Sequence, residues 1–443
     1  MKPVDVGSLM ETGRSRPYLI LLIALTALAV VFDGADLQLL SVAIPSLMKD
    51  WRLERSAFAN IIAVGLVGMM IGGALAGVAG DRLGRKVALL LSVLTFGIAT
   101  VAMSAVNGLT SLGALRFVAG LGLGGAMPNA AALVAEFVPK RQRAFVITLT
   151  IVCVPVGGMA TGYFAGQILN VLNWRWLFVL GGLVPLACLL VQLLFLAESP
   201  RYLARHPARW PELVTFVRRM GHDVAVDSNF IDATEQQISR VSVGALFTTG
   251  FWRDTLSLWV AFVACMLAFY SGINWIPSLL HDAGWQGLNP TRGILYFNFG
   301  GVIGAILASL LITRLGSKSI MLSLGLASVV SAIVLSKLAI NANASTLPVL
   351  AMLTLAGAFI NALMVATYAL AAHIYPTAVR ATGVGTAVSV GRVGAVLSAG
   401  VGSYMLGRGG YPYFFNMIAG AMLICGVSLA FIQRHIHRAE PPA

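Results

Sequence analysis

The chain has 443 residues, 58% of them hydrophobic and only 11% charged, with a net charge of +13. A soluble domain carries about 25% charged residues, and a chain this long and apolar cannot keep its surface from water with one soluble core, so the bilayer is the solvent that fits. The basic residues lie between apolar stretches rather than in one cluster, which reads as a topology signal facing lipid headgroups and excludes a nucleic-acid partner.

The first apolar run, from about Tyr18 to Met48, is too long for the h-region of a cleavable signal, which spans about 7–15 residues. It is expected to stay as the first span. A span needs roughly 20 apolar residues, and twelve are predicted: 18–47, 57–79, 87–106, 111–135, 144–168, 176–196, 255–279, 292–312, 319–339, 347–371, 382–404 and 411–432. The runs are continuous rather than alternating, which excludes a closed β-barrel. The expected fold is therefore all-α: twelve transmembrane helices in two pseudo-symmetric six-helix halves. The predicted organisation is an N-terminal segment 1–17, a first half 18–197, a hydrophilic linker 198–253, a second half 254–433 and a tail 434–443. Within the linker, 211–220 and 232–241 read as short surface helices. With both termini in the cytoplasm, the inner loops hold about threefold more Lys and Arg than the outer ones, the expected bias.

In chain order, the first polar signal is Asp33-Gly34-Ala35-Asp36, near the middle of the first span. A carboxylate at that depth costs roughly 2.5–3.5 kcal/mol on insertion scales. At i and i+3 the two acids share one helix face, which must look inward. Such a pair suits proton carriage, and also a structural ion pair with a buried arginine; the two readings can hold in different states. Gly77, Asp81, Arg82, Gly84 and Arg85 follow in the loop after the second span, where Asp81 can receive a helix N-terminus or an arginine and act as a latch. The pattern returns 232 residues later around Arg314, Gly316 and Lys318, with Thr313 in place of the acid. A second echo pairs Pro139 and Arg143 with Pro376 and Arg380.

Arg116 lies within the fourth span, ahead of Gly120, Gly122 and Gly124, which permit close helix approach. It can pair with Asp33 or Asp36, or with a substrate carboxylate. Gly120-x-Gly122-x-x-Gly125 matches a dinucleotide fingerprint, but that motif needs a preceding strand. Glu136 closes the fourth span and is a candidate for gating and proton coupling. Gly158, Gly162 and Gly166 suit helix packing. Asn274, Trp275, Asn298, Asn361, Tyr368, His373 and Arg392 are the candidate substrate contacts, joined by Tyr270: polar or aromatic groups within later spans, able to line a cavity for a flat acid. Cys153, Cys188, Cys265 and Cys425 form no C-x-x-C pair, so no metal site is expected, and no enzyme chemistry.

The segment Gly77–Lys86 resembles the major facilitator signature G-x-x-x-D-R-x-G-R-K. Together with Asp33–Asp36, Arg116 and its glycines, Ala197–Arg201, Ile273–Pro277 and Arg380–Arg392, the chain resembles the aromatic acid:proton symporter family within that superfamily. The resemblance implies uptake of an aromatic or related organic carboxylate, with protons as the coupling ion and no other cofactor. By it, Asp33 and Asp36 carry protons, Arg116 is a required charge, and Asp81 and Arg82 form the gate. It also implies a monomer in a bacterial inner membrane with both termini cytoplasmic. Ala35 replaces the aromatic residue frequent between the two acids of that family. Another solute class on the same fold (a sugar-like solute or an exported drug) and a non-transporting membrane sensor remain the alternatives.

Overall fold

The computed structural model describes residues 4–12, 16–225, 228–231, 245–248, 250–285, 289–341, 343–375 and 377–436. Among them the spans are α1 (Arg16–Trp51), α2 (Arg55–Leu83), α3 (Arg85–Met103), α4 (Leu109–Phe137), α5 (Lys140–Val171), α6 (Trp174–Phe195), α7 (Trp252–Asp282), α8 (Asn289–Leu315), α9 (Ser317–Lys337) and α10 (Thr346–Ile374). The last helix, Thr377–Ala430, leaves helical geometry at Gly409 and Gly410, where Gly410 has φ 65°. It is thus two spans, α11 (377–408) and α12 (411–430). Twelve spans agree with the apolar runs. Most helices extend past those runs, because hydropathy ends at the first polar residue while main-chain hydrogen bonding continues into interfacial water.

In hydrocarbon each backbone N–H and C=O must be bonded within the segment, so continuous apolar runs become helices. Pro45, Pro128, Pro155, Pro185 and Pro277 lie inside spans without ending them. The halves repeat one packing plan: α1–α5, α2–α4 and α3–α6 in the first answer to α7–α11, α8–α10 and α9–α12 in the second. Small residues set these distances. A Cβ at Gly124 would lie 2.1 Å from the Met69 carbonyl on α2, and one at Gly304 would lie 2.1 Å from Ala358 O on α10. The halves meet along α1–α7, α2–α11 and α5–α8.

Six spans separate the N-terminus from the linker, and six follow it. Both termini and the linker therefore share one side, here the linker side; the other is the far side. The linker helix Trp210–Arg219 buries Leu213, Val214, Phe216 and Val217. Phe216 stacks on Phe137 at the end of α4, with ring centroids 5.9 Å apart. Val4–Asp5 pairs in parallel with Phe230–Ile231. The N-terminal segment and the start of the linker thus cover the first half together. The expected helix at 232–241 falls outside the described residues.

Candidate functional site

The two acids on α1 have different surroundings. Asp36 is held: Arg116 Nη1 donates to its Oδ1 at 2.8 Å and the Thr100 hydroxyl donates to its other oxygen. Arg116 also donates to the main-chain oxygens of Asp36 (3.3 Å) and Leu37 (3.1 Å). The planar fork of arginine permits this multiple contact, which a lysine could not reproduce. Asp33 lies one turn toward the linker side. It is 3% exposed, and its Oδ1 has no hydrogen-bond partner.

Asp33 faces a cavity of about 80 Å³, whose wall includes Met127, Phe269, Tyr270, Asn361 and Tyr368. Tyr270 and Phe269 meet edge to face at 5.3 Å, and Tyr368 is set against Phe262 at 5.0 Å. Arg392 approaches from α11 and donates to the Met69 carbonyl at 2.7 Å, and Met69 is part of the same wall. Its charge acts on Asp33, Tyr270 and Tyr368. Among the described residues no carboxylate pairs with Arg392. A second, narrow cavity of about 10 Å³ shares Leu37 and Met69 with the first and touches Arg116 and Asn274, whose Nδ2 is buried without a partner. The arrangement offers an acid with an unpartnered oxygen and flat aromatic walls in one chamber, with a cation that no described carboxylate pairs beside its wall.

The remaining expected contacts divide. Asn361 and Tyr368 line the chamber. Trp275 does not: it is fully buried, and its indole N–H donates to Ser398 O on α11 at 3.2 Å. Successive helix residues point about 100° apart, so with Asn274 turned to the first half its neighbour turns away. Asn298 is engaged with Gln38 instead of the cavity. His373 is exposed at the linker-side end of α10. Pro376 and the side chain of Arg380 lie outside the described residues.

The loop signature forms a separate cluster on the linker side. The signature is helical on both sides of Gly84 rather than a loop: Asp81, in the last turn of α2, pairs with Arg85 at the start of α3 at 2.5 Å. The N-terminus of α3 is received by Glu198 instead, which accepts from Lys86 N at 2.9 Å and Ser199 N at 2.8 Å. Glu136 belongs here and not with Asp33 and Asp36: Ser199 donates to it and Arg85 Nε lies 3.8 Å away. It lines a small polar recess with Asp81, Arg85 and Arg205, so the structure does not bring the three expected proton carriers together. The Tyr202 hydroxyl donates to Arg82 O at 3.0 Å. Gly77 has open space beside it.

Gly84 (φ 107°, ψ 152°) and Gly316 (φ 81°, ψ 160°) open α3 and α9 with the same backbone, the structural counterpart of the 232-residue echo. In the second half the Ile436 carbonyl takes the part of Glu198, accepting from Ser317 N at the start of α9 at 2.9 Å. Ser317 Oγ accepts from Ile436 N at 2.8 Å, and Asp254 binds Gln433 N and Arg434. The Gly84 backbone is open in practice to glycine alone, and a Cβ there would lie 2.2 Å from Glu198 Oε2. Gly84→Ala is expected to destabilise the protein by roughly 1–3 kcal/mol, read as a lower melting temperature in detergent. An unchanged melt would show that the turn tolerates a side chain.

Sequence reading missed Thr100, Gln38 and Phe269. Gln38 had a signal, being an amide two residues beyond Asp36 in the same span. Thr100 had none, since a hydroxyl can satisfy itself within its own helix.

The model of the Major Facilitator Superfamily matches residues 26–336 and 293–443. The chain is 31% identical to the gallate transporter of Pseudomonas putida over 94% of its own length and 92% of the relative's. It is also 31% identical to the 3-(3-hydroxy-phenyl)propionate transporter of Escherichia coli, with 96% of each covered. Among solved structures it is similar to a D-xylose–proton symporter, with a TM-score of 0.70, 18% identity, and 92% and 96% of the two chains covered. At that identity the likeness shows the fold.

Proposed function

Since the chain belongs to the major facilitator superfamily and is a multi-pass membrane transporter rather than an enzyme, we propose that it takes up an aromatic carboxylate together with protons. The observation that carries this reading is the aromatic chamber faced by Asp33, whose Oδ1 is unpartnered, with the Arg392 guanidinium beside its wall, held by the Met69 carbonyl and paired with no carboxylate among the described residues. The guanidinium is suited to the substrate carboxylate, the aromatic and methionine walls to the ring, and Asp33 to the proton. The relatives, by name, carry gallate and 3-(3-hydroxyphenyl)propionate, both aromatic rings bearing an acid.

An interior-negative potential opposes anion entry by about 2.3 kcal/mol per charge per 100 mV. One proton carried with the anion cancels that opposition, and a second lets the potential drive uptake. The Lys and Arg bias supports cytoplasmic termini, hence import from the far side, in a bacterial inner membrane. Asp36 and Arg116 hold α1 to α4, and Glu136, Asp81, Arg82 and Arg85 serve the linker-side gate.

The test is uptake of radiolabelled gallate, protocatechuate, 4-hydroxybenzoate, 3-(3-hydroxyphenyl)propionate and muconate into energised vesicles. Accumulation of at least one acid is expected, driven by an imposed pH gradient and abolished by a proton ionophore. Accumulation that ignores the ionophore would remove the proton from the mechanism. Absence of uptake for every acid would remove the substrate class.

A further inference from the structure

On the far side of Asp33, α1 and α8 meet in a junction that neither the proton pair nor the loop signature accounts for. Gln38 lies on α1 five residues beyond Asp33, about 7.5 Å along the helix. Asn298 lies on α8, in the other half. Their amides form a reciprocal pair: Gln38 Nε2 donates to Asn298 Oδ1 at 3.1 Å, and Asn298 Nδ2 donates to Gln38 Oε1 at 2.8 Å. Asn298 Nδ2 also donates to Ile294 O at 2.8 Å, which sets the rotamer. Both side chains are fully buried.

A third helix provides the socket. A Cβ on Gly158 of α5 would lie 2.2 Å from Gln38 Nε2 and 2.7 Å from Asn298 Nδ2. One turn farther, a Cβ on Gly162 would lie 2.8 Å from Leu295 N of α8. The small-residue stripe on α5 is therefore used across the two halves. At the far-side rim Arg55, at the start of α2, pairs with Asp282, at the end of α7, again across the halves. The chamber wall, by contrast, uses Met127 and Tyr368, which lie in the linker-side parts of α4 and α10.

A transporter of this plan exposes its central site by rocking one half against the other. For the chamber to face the far side, α1 and α5 must part from α8 where the two amides meet. The chemistry of the contact suits repeated parting. A neutral amide hydrogen bond contributes about 0.5–1.5 kcal/mol net, because water replaces it once both partners are exposed. A buried ion pair in the same place would be far harder to separate. We propose that Gln38 and Asn298 are the inner latch of the far-side gate, closed in this structure and broken in each cycle, and so are positioning residues rather than substrate contacts.

The test needs no knowledge of the substrate. In a background with Cys153, Cys188, Cys265 and Cys425 replaced by serine, Gln38→Cys and Asn298→Cys are combined with a probe cysteine at Val365, which lines the chamber. The pair is joined with a short bifunctional thiosulfonate and the bridge is checked by mass spectrometry. Maleimide labelling of the probe is then followed from each side in vesicles of defined orientation. Joining the pair is expected to stop labelling from the far side, leave labelling from the linker side, and be reversed by reduction. A pair that does not join, or a joined protein still labelled from the far side, would overturn the proposal. The alanine variants give a second route: Gln38→Ala, Asn298→Ala and the double variant should each raise far-side labelling by about tenfold, the effect of about 1.4 kcal/mol on the gate equilibrium. The double variant should do no more than either single one. Unchanged labelling, or fully additive effects, would equally overturn the latch.

Discussion

Asp33→Asn is expected to abolish uphill accumulation of the transported acid while labelled acid still exchanges across the membrane. The asparagine keeps the shape of the buried carboxyl, whose Oδ1 has no partner to lose, so the chamber should remain intact. What disappears is a group that can take up and release a proton. Without it, a monoanion moves alone against a potential worth about 2.3 kcal/mol per 100 mV, which holds the internal concentration roughly 40-fold below the external one. Wild type under an imposed pH gradient should instead concentrate the acid. Net uptake and counterflow exchange, measured in the same vesicles, separate the two outcomes. Undiminished uphill uptake by the variant would move the proton to another group.

The second large effect is on folding. Arg116→Ala leaves Asp36, fully buried, with Thr100 as its remaining side-chain partner. Removing one member of a buried pair costs about 3–5 kcal/mol, a large part of the 5–15 kcal/mol that a folded domain typically has. The variant is expected to be scarce in the membrane and to melt early after solubilisation. Removing both charges, as Asp36→Asn with Arg116→Leu, should restore most of the yield and melting temperature, because no isolated charge is left. This pair of results distinguishes two roles for Arg116. A stable Arg116→Ala protein that has lost only substrate binding would make the arginine a ligand for the acid. An unstable one rescued by Asp36→Asn makes it the partner that holds α1 to α4.

Much of the site could be read along the chain, because its signals are exceptions to hydrophobicity. Asp33, Asp36, Arg116 and Arg392 stand out as charges where charge is costly, and all four lie at or beside the central chamber. Polar residues that are tolerable in a span were less legible. Asn298 was expected at the substrate, but its partner Gln38 is 260 residues away. Trp275 and Asn274 are adjacent in sequence but point about 100° apart, one to Ser398 on α11 and the other to the narrow cavity, and which goes where depends on the rotation of α7. Glu136 was grouped with the α1 acids by chemistry alone; its position at the end of α4 puts it beside Arg85 and Ser199.

By itself, then, the sequence determined that this chain lives in a bilayer, crosses it twelve times and is built as a duplicated half. Each of these follows from local composition: apolar runs must become helices where no water can satisfy the backbone, and a repeated turn such as Gly84 and Gly316 repeats its backbone geometry. Only the tertiary structure decided which of two neighbouring acids is bound and which is left open, which amides clasp across the halves, and that Glu198 rather than Asp81 receives the start of α3. Those outcomes depend on the rotation and depth of one helix against another, and helix contacts within a bilayer are set by side-chain fit rather than by hydrophobicity, so a count of apolar residues carries no record of them.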